Sequence, residues 1–97
     1  MYQIRALTAV KKDLKRLDKP VRAAIEKDHF PAIQNAPDAG DVLHQDLEGL
    51  RSYHFSQHGT QYRIVYEVHV RERLVVVLMI GTRENFYERV RRRLRPQ

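Results

Sequence analysis

Apolar residues follow three different rhythms along the chain, and each rhythm predicts a different kind of element. Tyr2 to Leu7 alternates weakly and reads as a short strand. Val10, Leu14 and Leu17 then recur at i, i+4 and i+7, which places them on one face of a helix, with Thr8 positioned to cap it. Asp18-Lys19-Pro20 breaks and restarts the helix, because proline is tolerated in a first turn but not in a helix interior. Val21, Ala24, Ile25 and Phe30 form the inner face of a second helix, which Pro31 ends or kinks. Two helices joined this tightly make an antiparallel hairpin. Residues 35–46, with Asn35, Pro37, Asp38, Gly40 and Asp41, read as loop.

From Arg51 the period changes to two. Ser52 to Ser56 reads as a strand, and Gln57-His58-Gly59-Thr60 as a turn in which Gly59 can take positive φ. Gln61 to Val70 is the clearest strand: Tyr62, Ile64, Tyr66 and Val68 point one way, Arg63, Val65, Glu67 and His69 the other. After the charged turn Arg71-Glu72-Arg73, Leu74 to Ile80 is unbroken apolar sequence, the pattern of a central strand covered on both faces, and Gly81-Thr82 ends it. Glu84 to Leu94 puts Phe86, Val90 and Leu94 on one helical face. The order β-α-α-β-β-β-α predicts one α+β domain over residues 1–97. It comprises an N-terminal strand, a two-helix hairpin, a three-stranded antiparallel meander and a C-terminal helix, with the helices on one face of the sheet.

Charge adds to this picture because it is unevenly distributed. Residues 1–48 hold eight basic and eight acidic residues; residues 49–97 hold ten basic and four acidic, which accounts for the whole +6. All five lysines lie in the first part, so every basic residue of the second part is arginine. Arginine offers a planar fork of donors suited to phosphate, which points to a polyanion or an acidic protein as partner. With no cysteine in the chain, disulfides and thiolate metal sites are excluded. The five histidines form no convincing ligand pattern, so neither a metal nor another cofactor is expected. No apolar run approaches the roughly 20 residues of a membrane span, and no hydrophobic segment follows Met1-Tyr2-Gln3-Ile4-Arg5 as in a signal peptide; a cytoplasmic location without membrane partners is expected.

Four stretches taken together carry a resemblance. They are Leu47-Glu48-Gly49-Leu50-Arg51, Tyr62-Arg63-Ile64-Val65-Tyr66-Glu67-Val68, Val75 to Arg83, and Phe86-Tyr87. The chain resembles the RelE/ParE toxin superfamily, in which a leucine-glycine step precedes the second strand and a tyrosine-arginine pair opens the next. An arginine, then a tyrosine a few residues on, follow the last strand. The resemblance covers nearly the whole chain, helical hairpin included. It implies the RelE-like microbial RNase fold and the toxin of a type II toxin-antitoxin system, neutralised by a cognate antitoxin in a hetero-oligomer. RelE-type members cleave mRNA, usually on the ribosome; ParE-type members inhibit DNA gyrase and lack the nuclease residues.

RNA cleavage by its own 2′-OH needs a group to take the 2′ proton, charge stabilisation at phosphorus and protonation of the leaving oxygen. Arg63 lies on the face away from Tyr62, Ile64 and Tyr66, and the resemblance assigns it the scissile phosphate; the alternative is a salt bridge to Glu67. Arg83 follows the buried strand at a helix start, where the dipole disfavours a cation, so its placement favours a functional role. The resemblance gives it transition-state stabilisation or leaving-group protonation. Tyr87 shares a helical face with Arg83 if the helix begins at Arg83, and the family's tyrosine stacks on a base. His54 stands on the strand where RelE-type members carry lysines, and is a candidate general base. Arg51, His58, Arg89, Arg92 and Arg93 are candidates for RNA contact. Cations at a helix C-terminus suit the dipole, but the run from Arg89 to Arg95 exceeds that need. Three readings stand: an mRNA-cleaving endoribonuclease, a ParE-like gyrase inhibitor without chemistry, and a basic RNA-binding domain that is not a toxin.

Overall fold

The computed structural model describes residues 1–96. The elements are β1 (Gln3–Ala6), α1 (Thr8–Lys15), α2 (Lys19–Ala24), α3 (Phe30–Asn35), β2 (Asp41–Val42), β3 (Leu50–Gln57), β4 (Thr60–His69), β5 (Leu74–Thr82) and α4 (Phe86–Leu94). They build an α+β fold around one five-stranded sheet of order β1-β5-β4-β3-β2. The meander β3-β4-β5 is antiparallel, as the period-two pattern predicts, and β1 joins it in parallel beside β5. Among the described residues no helix is long and apolar enough to cross a membrane.

The expectation that all helices pack on one face is overturned. One core places Val10, Val21, Ile25 and Ile33 of the helical hairpin against Phe55, Tyr62, Ile64, Tyr66, Val75, Val77 and Ile80. A second core, on the other face, packs Phe86 and Val90 of α4 against Leu47, Leu50, Val65, Leu78 and Met79. The physical reason is visible in the ladder. Val65 pairs with Met79 but Tyr66 pairs with Val77, so Leu78 is an extra residue in β5. This bulge turns Leu78 and Met79 to the same face and gives α4 an apolar bed. Phe86 and Val90 are fully buried there, worth roughly 1.5–3 kcal/mol each.

Several element boundaries differ from the sequence reading. Pro31 does not end the second helix: Ile25–His29 forms a π-helical turn and the chain stays helical to Asn35. A π turn accommodates a proline, which has no N–H and crowds the carbonyl four residues earlier. Thr8 is the first helical residue rather than the cap, a place taken by Leu7. The loop 35–46 contains the two-residue strand β2, which pairs Asp41 with Ser52 and Val42 with Arg51. Gly81-Thr82 does not break β5 but belongs to it, with Gly81 opposite Arg63. The absence of a side chain there leaves room for the Arg89 guanidinium, which a Cβ would approach to 2.7 Å and displace.

Beyond the end of β1, one edge of β5 has no strand beside it. Side chains complete that edge. Asp13 accepts the Ile80 N–H (3.1 Å), Arg93 donates to the Leu78 carbonyl (3.1 Å), and Arg89 donates to the Thr82 carbonyl (3.2 Å). Such cover satisfies backbone groups that would otherwise be buried unpaired or left open to a foreign strand.

Candidate active site

The antiparallel pairing of β3 and β4 sets His54 directly opposite Arg63, so both side chains rise from the same face, the one that carries α4. Ser52, two residues before His54, shares that face and is buried. Its Oγ lies 3.1 Å from His54 Nε2 and accepts the Tyr87 hydroxyl at 3.2 Å. The Arg63 guanidinium lies 5.0 Å from the centre of the Tyr87 ring and donates to the Arg83 carbonyl (3.4 Å). Arg83 Nη1 reaches Gln61 Oε1 at 3.4 Å, and its backbone N–H prolongs the β4–β5 ladder by bonding Gln61 O. His54, Arg63, Arg83 and Tyr87, drawn from β3, β4, the segment after β5 and α4, therefore meet in one place.

Arg83 and Tyr87 do not reach it along a common helical face. The helix starts at Phe86, after Asn85 turns the chain at φ 52°, so Arg83 precedes α4 in a bend. A polar groove of about 820 Å³ opens beside the cluster, lined by Gly59, Thr60, Gln61, Arg63, Thr82, Arg83 and Glu84. A smaller recess of about 200 Å³, sharing Gln61 and Arg63, extends to His54.

The electrostatics are cationic. Among the described residues no carboxylate lies within ion-pair distance of Arg63 or Arg83. The sequence alternative for Arg63, a bond to Glu67, is not formed; Glu67 pairs with His69 at 2.9 Å. His54 has one acidic neighbour, Asp41 at 3.8 Å, both side chains being well exposed. Sequence reasoning missed Asp41, Ser52 and Gln61. Ser52 was accessible to it, since a residue two before His54 on a strand must share its face. Asp41 was not, because its position depends on a cross-strand pair from a loop.

The candidate RNA contacts separate into two groups. Arg51 lies apart from the cluster: three residues from His54, it points to the opposite face and donates to the Asp38 and Gly40 carbonyls (3.0 and 2.9 Å). It thereby fastens the loop that Tyr66 also holds through Pro37 O and Gly40 N. Arg93 is likewise away from the cluster, with both its terminal nitrogens bound to the buried Asp13 carboxylate at 2.6 and 2.8 Å. Those bonds hold its guanidinium above the usual arginine value despite desolvation. Arg91 of the same run bonds Asp46. Arg89 is half-buried and partly spent on Thr82, whereas Arg92 is exposed. His58 sits in the tight β3–β4 turn, exposed, with φ 50° beside Gly59 at φ 80°. On the other face of β3, His29 stacks on Phe55 at 3.9 Å and bonds the Tyr53 hydroxyl at 2.8 Å. Burial lowers the imidazole's pKa and raises the phenol's, but neither group reaches the groove.

With this geometry in hand, comparison with known proteins places the chain. The family described as the ParE-like toxin of type II bacterial toxin-antitoxin systems matches residues 4–91. No curated protein matches by sequence. Among solved structures, the toxin-antitoxin complex RelBE2 from Mycobacterium tuberculosis is similar with TM-score 0.72 and 29% identity, over 84% of this chain and 91% of that one. The intact E. coli RelBE complex is similar with TM-score 0.70 and 20% identity, over 87% and 99% of the respective chains. A double arginine-to-alanine mutant of E. coli RelE in the free state is similar with TM-score 0.74 and 19% identity, over 97% and 98%. The α+β architecture is thus that of the RelE toxins, and the chain belongs to the ParE-like toxins of type II bacterial toxin-antitoxin systems, within the RelE/ParE superfamily.

Proposed function

We propose that this toxin is a metal-independent endoribonuclease that cleaves mRNA on the ribosome and so stops translation. The observation that carries the reading is that Arg63 and Arg83 line one open groove with guanidinium heads free of ion-paired carboxylates, while His54 lines the adjoining recess that shares Arg63 and the Tyr87 ring lies under Arg63. Arg63 and Arg83 hold the scissile phosphate and meet the charge that grows on its oxygens, a role suited to preorganised cations. His54 takes the proton of the 2′-OH as that oxygen bonds to phosphorus. The bond from phosphorus to the 5′ oxygen breaks, and the departing oxygen takes a proton from solvent. The products are a 2′,3′-cyclic phosphate and a 5′-hydroxyl. Tyr87, packed beneath Arg63, offers its ring to a base flanking the cut.

The protein works as a single domain in the cytoplasm, held silent by an antitoxin. The M. tuberculosis and E. coli relatives were solved as such complexes. The +6 charge suits an acidic antitoxin segment as well as RNA. A ParE-like reading, gyrase inhibition without chemistry, is favoured by one observation: β3 carries no lysine, so only His54 stands where a base is needed. The two part in a cleavage assay on purified protein with and without ribosomes. Wild type is expected to cut mRNA, with a requirement for ribosomes, and Arg83→Ala and His54→Ala to lose the activity while keeping the fold. No cleavage by wild type, with inhibition of gyrase supercoiling, would establish the other reading.

A further inference from the structure

Along the uncovered edge of β5, distinct from the groove, a pocket of about 240 Å³ opens between α1 and α4, lined by Asp13, Arg16, Met79, Arg89, Arg92 and Arg93. Its charge does not balance. The one carboxylate, Asp13, is saturated: Oδ1 accepts from Arg93, and Oδ2 accepts from Arg93 and from the Ile80 N–H. Arg93 and Asp13 cancel each other, which leaves Arg16, Arg89 and Arg92. No carboxylate among the described residues lies within ion-pair distance of those three. Arg89 is only partly satisfied by the protein: one terminal nitrogen donates to the Thr82 carbonyl, while its buried Nε has no acceptor. Three like charges gathered without a counter-ion repel one another, and a bound anion relieves that cost.

The pocket also adjoins the groove. Arg89 lies over Gly81, and Gly81 is the cross-strand partner of Arg63. One pair of strand residues separates the two cationic sites, and the missing side chain at Gly81 lets the Arg89 head come down against the sheet. We propose that Arg16, Arg89 and Arg92 form a second phosphate subsite, holding the RNA backbone next to the segment engaged at Arg63 and Arg83. The proposal rests on the reading of the groove as an RNA site. A phosphodiester fits the pocket better than an apolar protein segment does, because four of its six lining residues are arginines, the one carboxylate is already taken by Arg93, and Met79 is the only apolar residue.

The test uses the full chain and 2′-O-methyl RNA, which cannot be cut by 2′-OH attack, so binding is read whether or not the protein is a nuclease. A ten-nucleotide and a two-nucleotide strand are titrated at several salt concentrations against wild type, Arg16→Ala/Arg92→Ala, and the control Arg5→Ala/Arg71→Ala, which removes equal charge elsewhere. The pocket variant is expected to bind the ten-mer at least about tenfold more weakly and the dinucleotide unchanged. Its log–log salt slope should fall by about 1.4, two contacts at roughly 0.7 each for a single strand. The control should match wild type. An unchanged slope in the pocket variant, or an equal loss in the control, overturns the subsite. Retained RNA affinity with weakened binding of an acidic peptide also overturns it and gives the pocket to a protein partner. Cleavage by wild type is scored separately on unmodified mRNA, so failure of the nuclease reading shows there and not in these titrations.

Discussion

Arg63→Ala is expected to lower cleavage by about 10²–10³-fold, roughly 2.7–4 kcal/mol of transition-state stabilisation, with little change in thermal stability. The side chain is half-buried, forms no ion pair with the described residues, and donates to the Arg83 carbonyl at a long 3.4 Å, so the fold gains little from its charge. Its position is nonetheless well determined. It is opposite His54 in one ladder, opposite Gly81 in the next, and stacked on Tyr87. A guanidinium placed this way without an ion-paired carboxylate is what the proposed phosphate contact requires. Lysine at the position should recover only part of the loss, since it supplies the charge without the fork that binds two phosphate oxygens. Steady-state cleavage of a defined mRNA, together with a melting curve for each variant, checks both halves. Equal loss of activity and of folding would remove Arg63 from the chemistry.

Asp13→Ala is expected to cost about 3–5 kcal/mol of stability. Asp13 is 5% exposed, and its carboxylate joins three elements: α1 that carries it, α4 through Arg93, and β5 through the Ile80 N–H. Removing it leaves the Arg93 cation uncompensated and a strand-edge donor unpaired. The signature of that mechanism is non-additivity. In the double variant Asp13→Ala/Arg93→Met much of the loss should return, because breaking a buried pair is worse than replacing it with apolar groups. Denaturant unfolding of both variants measures this. A cost below about 1 kcal/mol for Asp13→Ala would show that the pair adds little to the fold.

Local periodicity carried most of the fold into view. The alternation of Tyr62, Ile64 and Tyr66 with Arg63 and Val65 assigned faces in β4 that the two cores confirm. What sequence could not show depends on distant partners. The parallel pairing of β1 with β5 joins Gln3 to Leu74, and no local pattern encodes it. Strand β2 is two residues long and exists only because β3 lies beside it. The bulge at Leu78 is hidden inside a continuous apolar run, where every register looks alike, and it sets Leu78 and Met79 together beneath α4. The site was legible in the same degree. His54 and Arg63 lie on predicted strands whose pairing brings them face to face. The arginine run was not legible, since nothing in its spacing tells that Arg93 meets a carboxylate 80 residues away while Arg92 stays exposed.

The central claim is that the groove directs a 2′-hydroxyl onto its own phosphate, and the ends of the products test it most directly. Purified wild-type toxin would be incubated with mRNA on ribosomes, and the termini at the main cut identified, alongside the same mRNA with a 2′-deoxy nucleotide at that position. The account predicts 2′,3′-cyclic phosphate and 5′-hydroxyl ends, and no cut at the deoxy position. Products bearing 5′-phosphates, or undiminished cleavage of the deoxy substrate, would contradict it.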